Sequence, residues 1–491
     1  MSIFIPLSPL AVVGLGALLL MLAEAFSTRK GGLALGAAIV LFAGGAVAGG
    51  VWMFGVDQLP DAASVAPWLL LDRFTLFFDM LLCLGGGLAA LLAGGYLPEH
   101  QIDRGEFYPL LLFTTLGAML LSASGDALTL FLGLETMSIG AYAMTAFRRA
   151  SPRSAEGALK YFLLGAFAAA ILLFGFALLY GATGHTDLAG IGQAARTQAA
   201  HDPTLLLGAA LVLVGIVFKV SAVPFHSWTP DAYEGAPTPA TTFMAVAVKA
   251  GAFALLLRVL LLSFGDASWT SWASGWPPVI ATLAAVTMTF ANLVAGRQES
   301  VKRMLAYSSI AHAGFLLLGV TAVARSVEDG VASVLFYLLA YTVSTAGAFG
   351  ALILCGSRGR EAVSYDDLSG LGKRHPAAAL AFSLFLISLA GIPPTAGFFA
   401  KWFIFRATID SGLYWLTTLA LVNSVIGAYY YLRVLVYMYM REPAAGAPVA
   451  VPMRSGYVTA ALLVSAVLVL ALGLTPTHYL DAALRAAVTK G

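Results

Sequence analysis

Residues 205–225 read LLLGAALVLVGIVFKVSAVPF. The run is long enough to cross a bilayer, which takes about 20 mostly apolar residues. It carries one charge, Lys219, and one proline, Pro224. A charged side chain at membrane depth costs about 2.5–3.5 kcal/mol on insertion scales unless it finds a partner or water. Proline removes a backbone donor and clashes with the preceding turn. The carbonyls it frees are tolerated at that depth only where protein or a wet cavity surrounds them. The stretch therefore predicts a membrane helix that breaks close to a buried charge. A lysine snorkelling toward the interface is the other reading of Lys219.

Three further charges sit in comparable surroundings. Glu135 lies in DALTLFLGLETMSIGAYAM, Lys249 in TTFMAVAVKAGAFALLL and Lys401 in LAGIPPTAGFFAKWFIF. The last stretch places Gly391, Pro393, Pro394 and Gly397 mid-span, which predicts a second break. Four such groups in apolar helices point to the movement of protons or cations. A structural carboxyl bonded to a neighbouring helix is the plainer reading of Glu135.

The remaining composition narrows the class. Of 491 residues, 60% are hydrophobic and 11% are charged, against about 25% charged in soluble domains. The fold class expected is an all-α polytopic membrane protein. A net charge of +2 gives no reason to expect a nucleic-acid partner. Cys83 and Cys355 cannot ligate an iron–sulfur cluster, which takes about four ligands. The histidine spacing fits no zinc pattern, and neither a P-loop nor a GxGxxG loop is present, so no metal or nucleotide cofactor is expected in this chain. The first apolar run, Pro9 to Ala25, lacks a basic leader and an A-x-A end, so it is expected to be a retained helix.

Fourteen spans are expected: roughly 8–26, 33–54, 74–94, 108–123, 127–147, 160–182, 205–225, 239–262, 277–295, 302–323, 332–355, 376–408, 414–438 and 457–474. Lys and Arg in short loops set orientation. With the N-terminus outside, the inner loops hold Arg29, Lys30, Arg104, Arg148, Arg149, Arg153, Arg297, Lys302, Arg303, Arg358, Arg360, Lys373, Arg374, Arg441 and Arg454. The outer side holds only Arg73, Arg196, Arg325, Arg485 and Lys490. Both termini are thus expected on the periplasmic side of a bacterial inner membrane, together with the acidic loop DQLPDAASVAPWLLLD.

An internal repeat organises the spans. Asp126 opens DALTLFLGLETMSIGAY and Glu299 opens ESVKRMLAYSSIAHAGF, while VSAVPFH near Pro224 corresponds to LAGIPPTAG near Pro393. Five spans separate the units, so the second enters from the opposite side, as in inverted-repeat transporters with sites at broken helices. The expected organisation is 1–107 for helices 1–3, 108–262 for the first unit, 277–438 for the second and 439–491 for the last helix and tail. Broken helices are expected at spans 7 and 12. The alignment sets Ser388 against Lys219 and Ser308 against Glu135, so the units keep their breaks but differ in chemistry.

His226, after Pro224, and His312, in the tenth span, are candidate relays because histidine titrates near neutrality. Each can equally be a helix–helix hydrogen bond. Lys160 at the start of the sixth span is expected to snorkel, and Arg406 and Arg433 to lie at the interface. His185, His201 and His478 fall in loops or tail.

KVSAVPFHSWTPDAYEGAPTP, VKRMLAYSSIAHAGF and LAGIPPTAGFFAKW resemble signature stretches of the antiporter-like subunits of proton-pumping NADH:quinone oxidoreductase, respiratory complex I. The resemblance covers roughly residues 70–475 and extends to multisubunit cation/proton antiporters, the alternative assignment. Lys401, where another paralogue has glutamate, and the absence of a long lateral helix resemble the N type. The resemblance implies that Glu135 and Lys219 form a modulating ion pair, that Lys249 is the central relay and that Lys401 communicates with the outer exit. It also implies partner subunits, neighbouring antiporter-like chains among them, that carry NADH, FMN, iron–sulfur clusters and quinone.

Overall fold

The computed structural model describes residues 4–26, 32–55, 65–197, 202–357, 359–443 and 450–487. Arg29, Lys30, His201, Arg358, Lys490 and residues 57–64 of the acidic loop lie outside the described residues.

The described chain is helical, with isolated β-bridges and no strand. In order it forms α1 (Phe4–Phe26), α2 (Leu33–Phe54), α3 (Arg73–Glu99), α4 (Phe107–Ala123), α5 (Ala127–Thr145), α6 (Pro152–Thr183), α7 (Leu188–Thr197), α8 (Pro203–Lys219) and α9 (Trp228–Gly235). A continuous helix follows, made of α10 (Thr238–Phe243), a π-helical stretch over Met244–Val248 and α11 (Lys249–Leu262). Then come α12 (Pro277–Ala295), α13 (Val301–Val323), α14 (Val327–Cys355), α15 (Leu371–Arg374), α16 (Pro376–Ala390), α17 (Ala396–Asp410), α18 (Tyr414–Met440), α19 (Gly456–Leu474) and α20 (Pro476–Ala487). Among the described residues, eleven helices are long and apolar enough to cross a membrane. Phe107–Ala123, Pro203–Lys219 and Pro376–Ala390 are apolar but shorter.

Local sequence sets the helix starts. Asp72 and Asp126 accept from Thr75 N and Leu128 N, at 2.9 and 2.8 Å. Ser300 caps α13 through Arg303 N. These side chains satisfy donors that the first turn leaves unpaired. Proline opens α6, α8, α12 and α16, where its missing N–H costs nothing.

Helices divide by burial. The most apolar 18-residue window of α13 is 94% buried, against 33% for α18 and for α1. α3, α13, α14 and the 238–262 helix therefore form the centre. Exposed residues of the outer helices are Leu, Ile, Val and Phe, such as Leu163, Phe167, Val425 and Val467, which is the surface a lipid environment favours.

Both breaks are present. α8 stops at Lys219, and the chain turns through Ser221, which holds φ 64°, a left-handed conformation uncommon for a residue with a Cβ. α16 stops at Ala390 because Gly391 takes φ 86°. α17 restarts so close to α16 that a Cβ on Gly397 would lie 1.8 Å from Ser388 O, so only glycine fits there. The single span expected over 376–408 is thus two helices whose ends overlap.

Candidate functional site

Lys219, Lys249, Lys401 and His312 all lie in the buried centre. Lys219 is the last residue of α8. Its Nζ donates to Ser138 Oγ at 2.7 Å and to Tyr142 OH at 3.2 Å, both on α5. Glu135 makes no ion pair with it among the described residues. The carboxyl is half-buried, with Oε1 enclosed and without a hydrogen-bond partner. It shares a helical face with Leu128, Leu132 and Ile139, which are 51–64% exposed. Glu135 therefore stands toward the lateral surface of the bundle, one turn along α5 from Ser138 and two from Tyr142, the hydroxyls that hold Lys219.

An aromatic bridge leads inward from Lys219. Tyr142 meets Tyr161 edge-on at 4.6 Å, and Tyr161 stacks on Trp228 at 4.2 Å. Trp228 adjoins Tyr233, whose hydroxyl approaches Ser309. Ser309 is the partner of Lys249: the ammonium donates to both its backbone carbonyl and its hydroxyl. The π-helical stretch immediately before Lys249 adds a residue to that turn and so resets the direction of the side chains after it. Such insertions concentrate at functional positions.

From Lys249 the polar line continues. Tyr341 OH donates to Ser309 Oγ at 2.9 Å. His312 sits between Tyr337 OH at 2.7 Å and Tyr431 OH at 3.0 Å. A cavity of about 10 Å³, lined by His312, Tyr337, Tyr341, Ser344, Ser388 and Gly397 among others, separates these groups from the second break. That volume is about the size of one water; most of its wall is apolar, and the hydroxyls of Tyr337, Tyr341, Ser344 and Ser388 with the His312 ring are the polar groups at its edge. On its far side Ser388 Oγ bonds Ser344 Oγ at 2.7 Å and accepts from Gly397 N at 3.2 Å. Lys401 follows one turn later. Its Nζ donates to Ala390 O, a carbonyl freed by the break, at 2.8 Å, and to Ser424 Oγ at 2.9 Å.

His226 does not join this line. It is half-buried against Phe290, and its Nδ1 has no partner among the described residues. Lys160 does more than snorkel, pairing with Glu156 at 2.7 Å and Asp231 at 2.8 Å. Asp231 also takes Arg303 at 2.9 Å, and although burial alone would push its carboxyl up, hydrogen bonds from Lys160 and Arg303 hold it below the usual carboxylate range. Arg433 donates to Gly296 O and Gln298 O and lies over Tyr365.

Several buried charges escaped the sequence reading. Lys302, assigned to a loop, has a side chain only 1% exposed. It lies 3.4 Å from Glu361, which also accepts from Tyr96 and Thr238 and lies 3.7 Å from Arg148. Burial would raise the Glu361 carboxyl, but Lys302 and Arg148 outweigh it and hold it at about 2. Glu361 stands in a loop, where no periodicity marks it. Arg258, inside KAGAFALLLRVLLL, is flanked by apolar residues as the four chosen charges are, and was legible by the same test.

The fold and this line of groups define an antiporter-like membrane subunit. Residues 124–427 match the family described as NADH:quinone oxidoreductase/Mrp antiporter, transmembrane, and the chain belongs to that family. It is 69% identical to NADH-quinone oxidoreductase subunit N 1 of Sorangium cellulosum, over 98% of each chain. It is 43% identical to NADH-quinone oxidoreductase subunit N of Trichlorobacter lovleyi, over 90% of this chain and 88% of that one. Among solved structures it resembles a chain of respiratory complex I from Thermus thermophilus, with TM-score 0.79 and 34% identity over 96% and 98% of the two chains. A chain of the Mrp complex from Dietzia shares the fold at TM-score 0.85 and 24% identity, covering 98% and 97%.

Proposed function

We propose that the chain is a proton-translocating membrane subunit of NADH-quinone oxidoreductase, of the N type. The observation that carries this is the line of polar side chains from Lys249 through Ser309, Tyr341 and His312 to Ser388 and Lys401, with a water-sized cavity at its middle. A buried cation held only by neutral oxygens has no counter-charge to lock it. Protons can be passed from one such group to the next when a neighbouring charge moves, and each full crossing works against about 2.3 kcal/mol per 100 mV. Quinone reduction in partner subunits, which would carry the NADH, FMN, cluster and quinone sites, supplies the drive.

The two breaks support a reading as inverted five-helix units over 108–262 and 277–438, with the three shorter apolar helices also crossing the membrane. The Lys/Arg partition supports termini on the periplasmic side. Glu135 on one lateral face, and Lys401 at an apolar cavity of about 450 Å³ rimmed by exposed Trp402 and Leu421, suit neighbouring antiporter-like subunits at each end of the line. His226 stays outside the proposed line.

The alternative, a subunit of a cation/proton antiporter with no redox partner, is separated by purification: a stable assembly with flavin and iron–sulfur subunits is expected, and its absence would sink the assignment. In that assembly Lys401→Ala should retain the subunit and lose proton pumping. Full pumping in this variant would remove Lys401 from the path.

A further inference from the structure

α3 carries a second set of polar side chains that the path above does not use. Asp72, Thr75 and Asp79 recur at three- and four-residue spacing, so they share one side of the helix. At its start Arg258 of α11 reaches across. Its two terminal nitrogens bond the Asp72 oxygens at 2.8 and 2.7 Å, Nε donates to Ser122 O at 2.9 Å, and Nη2 to Thr75 Oγ1 at 2.9 Å. The Arg258 side chain is 2% exposed and that of Asp72 is 30% exposed, so the pair closes a seam that opens at this end of the bundle. The other end of α3 carries Tyr96, which bonds Glu361, so Asp72 and the Glu361 cluster mark opposite faces.

Asp79 lies two turns inside this mouth, about 10 Å along the helix from Asp72. It is 1% exposed, and its Oδ1 has no hydrogen-bond partner among the described residues. Thr75 against Ser122 O on one side, and Gly86 against Thr115 on the other, place it in the seam between α3 and α4. Buried Cys83 follows one turn further in. The seam borders the proton path. α11 begins at Lys249 and reaches Arg258 about 13 Å later, and Gly251 packs on Ala118, one turn from Ser122. By these spacings Asp79 sits in depth between Lys249 and Arg258. Gly85 packs against Val246 of the π-helical stretch and against Thr342, the neighbour of Tyr341.

A buried polar group kept for packing is ordinarily hydrogen-bonded. An ionised carboxylate without a donor is costly at this depth. A carboxyl with an oxygen that lacks such bonds, two turns behind a polar pair that reaches the surface through Asp72, has the position of a group that exchanges protons. We propose that Asp79 is a proton-exchanging station on a branch from the level of Lys249 to the Asp72 face, with Arg258 as the residue that positions Asp72 at its mouth. The step is a proton transfer only. Asp79 takes a proton coming from the Lys249 side and releases it through water toward Asp72, returning to its starting charge. The proposal rests on the proton-transfer reading of Lys249.

The test uses the assembled complex in sealed vesicles, with quinone reduction and proton uptake measured together. Asp79→Asn, which keeps shape and polarity, should retain assembly and lose protons pumped per electron, and Asp79→Glu should restore them. A wild-type ratio in Asp79→Asn alongside a lowered ratio in Lys249→Ala would overturn the branch while leaving the main path intact. A wild-type ratio in both would overturn the main path and the branch with it. If Asp79→Asn fails to assemble, turnover-induced infrared difference spectra decide. The proposal expects a protonated-carboxyl band that shifts in Asp79→Glu, and identical carboxyl regions in that variant and wild type would overturn it.

Discussion

Glu361→Gln offers the sharpest check on how the buried charges are held. The substitution keeps the length of the side chain and an oxygen that still accepts from Tyr96 or Thr238, so what it removes is the charge. Lys302 is then left with Ala236 O, 2.7 Å away, and only the more distant charge of Glu234, although its side chain is only 1% exposed. Breaking a buried pair by removing one partner costs about 3–5 kcal/mol. Glu361 keeps 18% of its side-chain surface exposed, so some hydration remains and about 2–3 kcal/mol is the reasonable expectation. Thermal inactivation of a membrane complex is a rate, and at about 1.4 kcal/mol per tenfold the variant should inactivate about 30- to 150-fold faster. The companion is Lys302→Met, which keeps the aliphatic stem. The double variant removes both charges and should recover most of the loss. A double variant as short-lived as Glu361→Gln alone would refute the pairing. The pH dependence has a definite sign. The Glu361 carboxyl is held at about 2, below its ordinary 4.5, so its contribution is complete above about 4.5 and fades as pH falls toward about 2. The gap between wild type and Glu361→Gln should therefore be constant from neutrality down to about 4.5 and close below it.

Three further outcomes are expected. Gly391→Ala places a side chain at φ 86° and 2.9 Å from Lys401 Cδ; strain of about 1–2 kcal/mol and a displaced ammonium should lower pumping while the subunit still assembles, and unchanged pumping would separate the break from the lysine. Ser138→Ala removes the shortest contact of Lys219, a hydrogen bond worth about 1.5–3 kcal/mol when one partner is charged, and should slow turnover more than Tyr142→Phe, whose bond is longer; the reverse order in quinone reductase assays would move the main hold to Tyr142. Glu135→Gln should reduce turnover without loss of assembly, measured as quinone reduction by the purified complex, and unchanged turnover would count against electrostatic control of Lys219 by Glu135.

The sequence by itself determined that this chain lives in a membrane, that helices are interrupted in the stretches around Pro224 and Pro393, and that Lys219, Lys249, Lys401 and His312 fall inside long apolar runs. Lipid explains why: at membrane depth each residue is either apolar or costly, so a charge or a proline inside a long apolar run stands out without any partner being known. Asp79 and Arg258 carry the same signal. Tertiary structure alone decided which groups meet. Glu135 falls in the same kind of apolar run as the lysines, yet it stands on the lateral face, because which side of α5 turns inward is set by packing against α4 and α6 and not by the composition of a helix apolar all round. Ser309, Tyr341 and Ser388 are ordinary residues in sequence and come together between the buried lysines only where α13, α14 and α16 converge. Glu361, in a loop without periodicity, gains its weight from Lys302, Arg148, Tyr96 and Thr238, which come from four separate parts of the chain. Electrostatic partnership depends on distances of a few ångströms between segments far apart in sequence, and only the folded bundle fixes those.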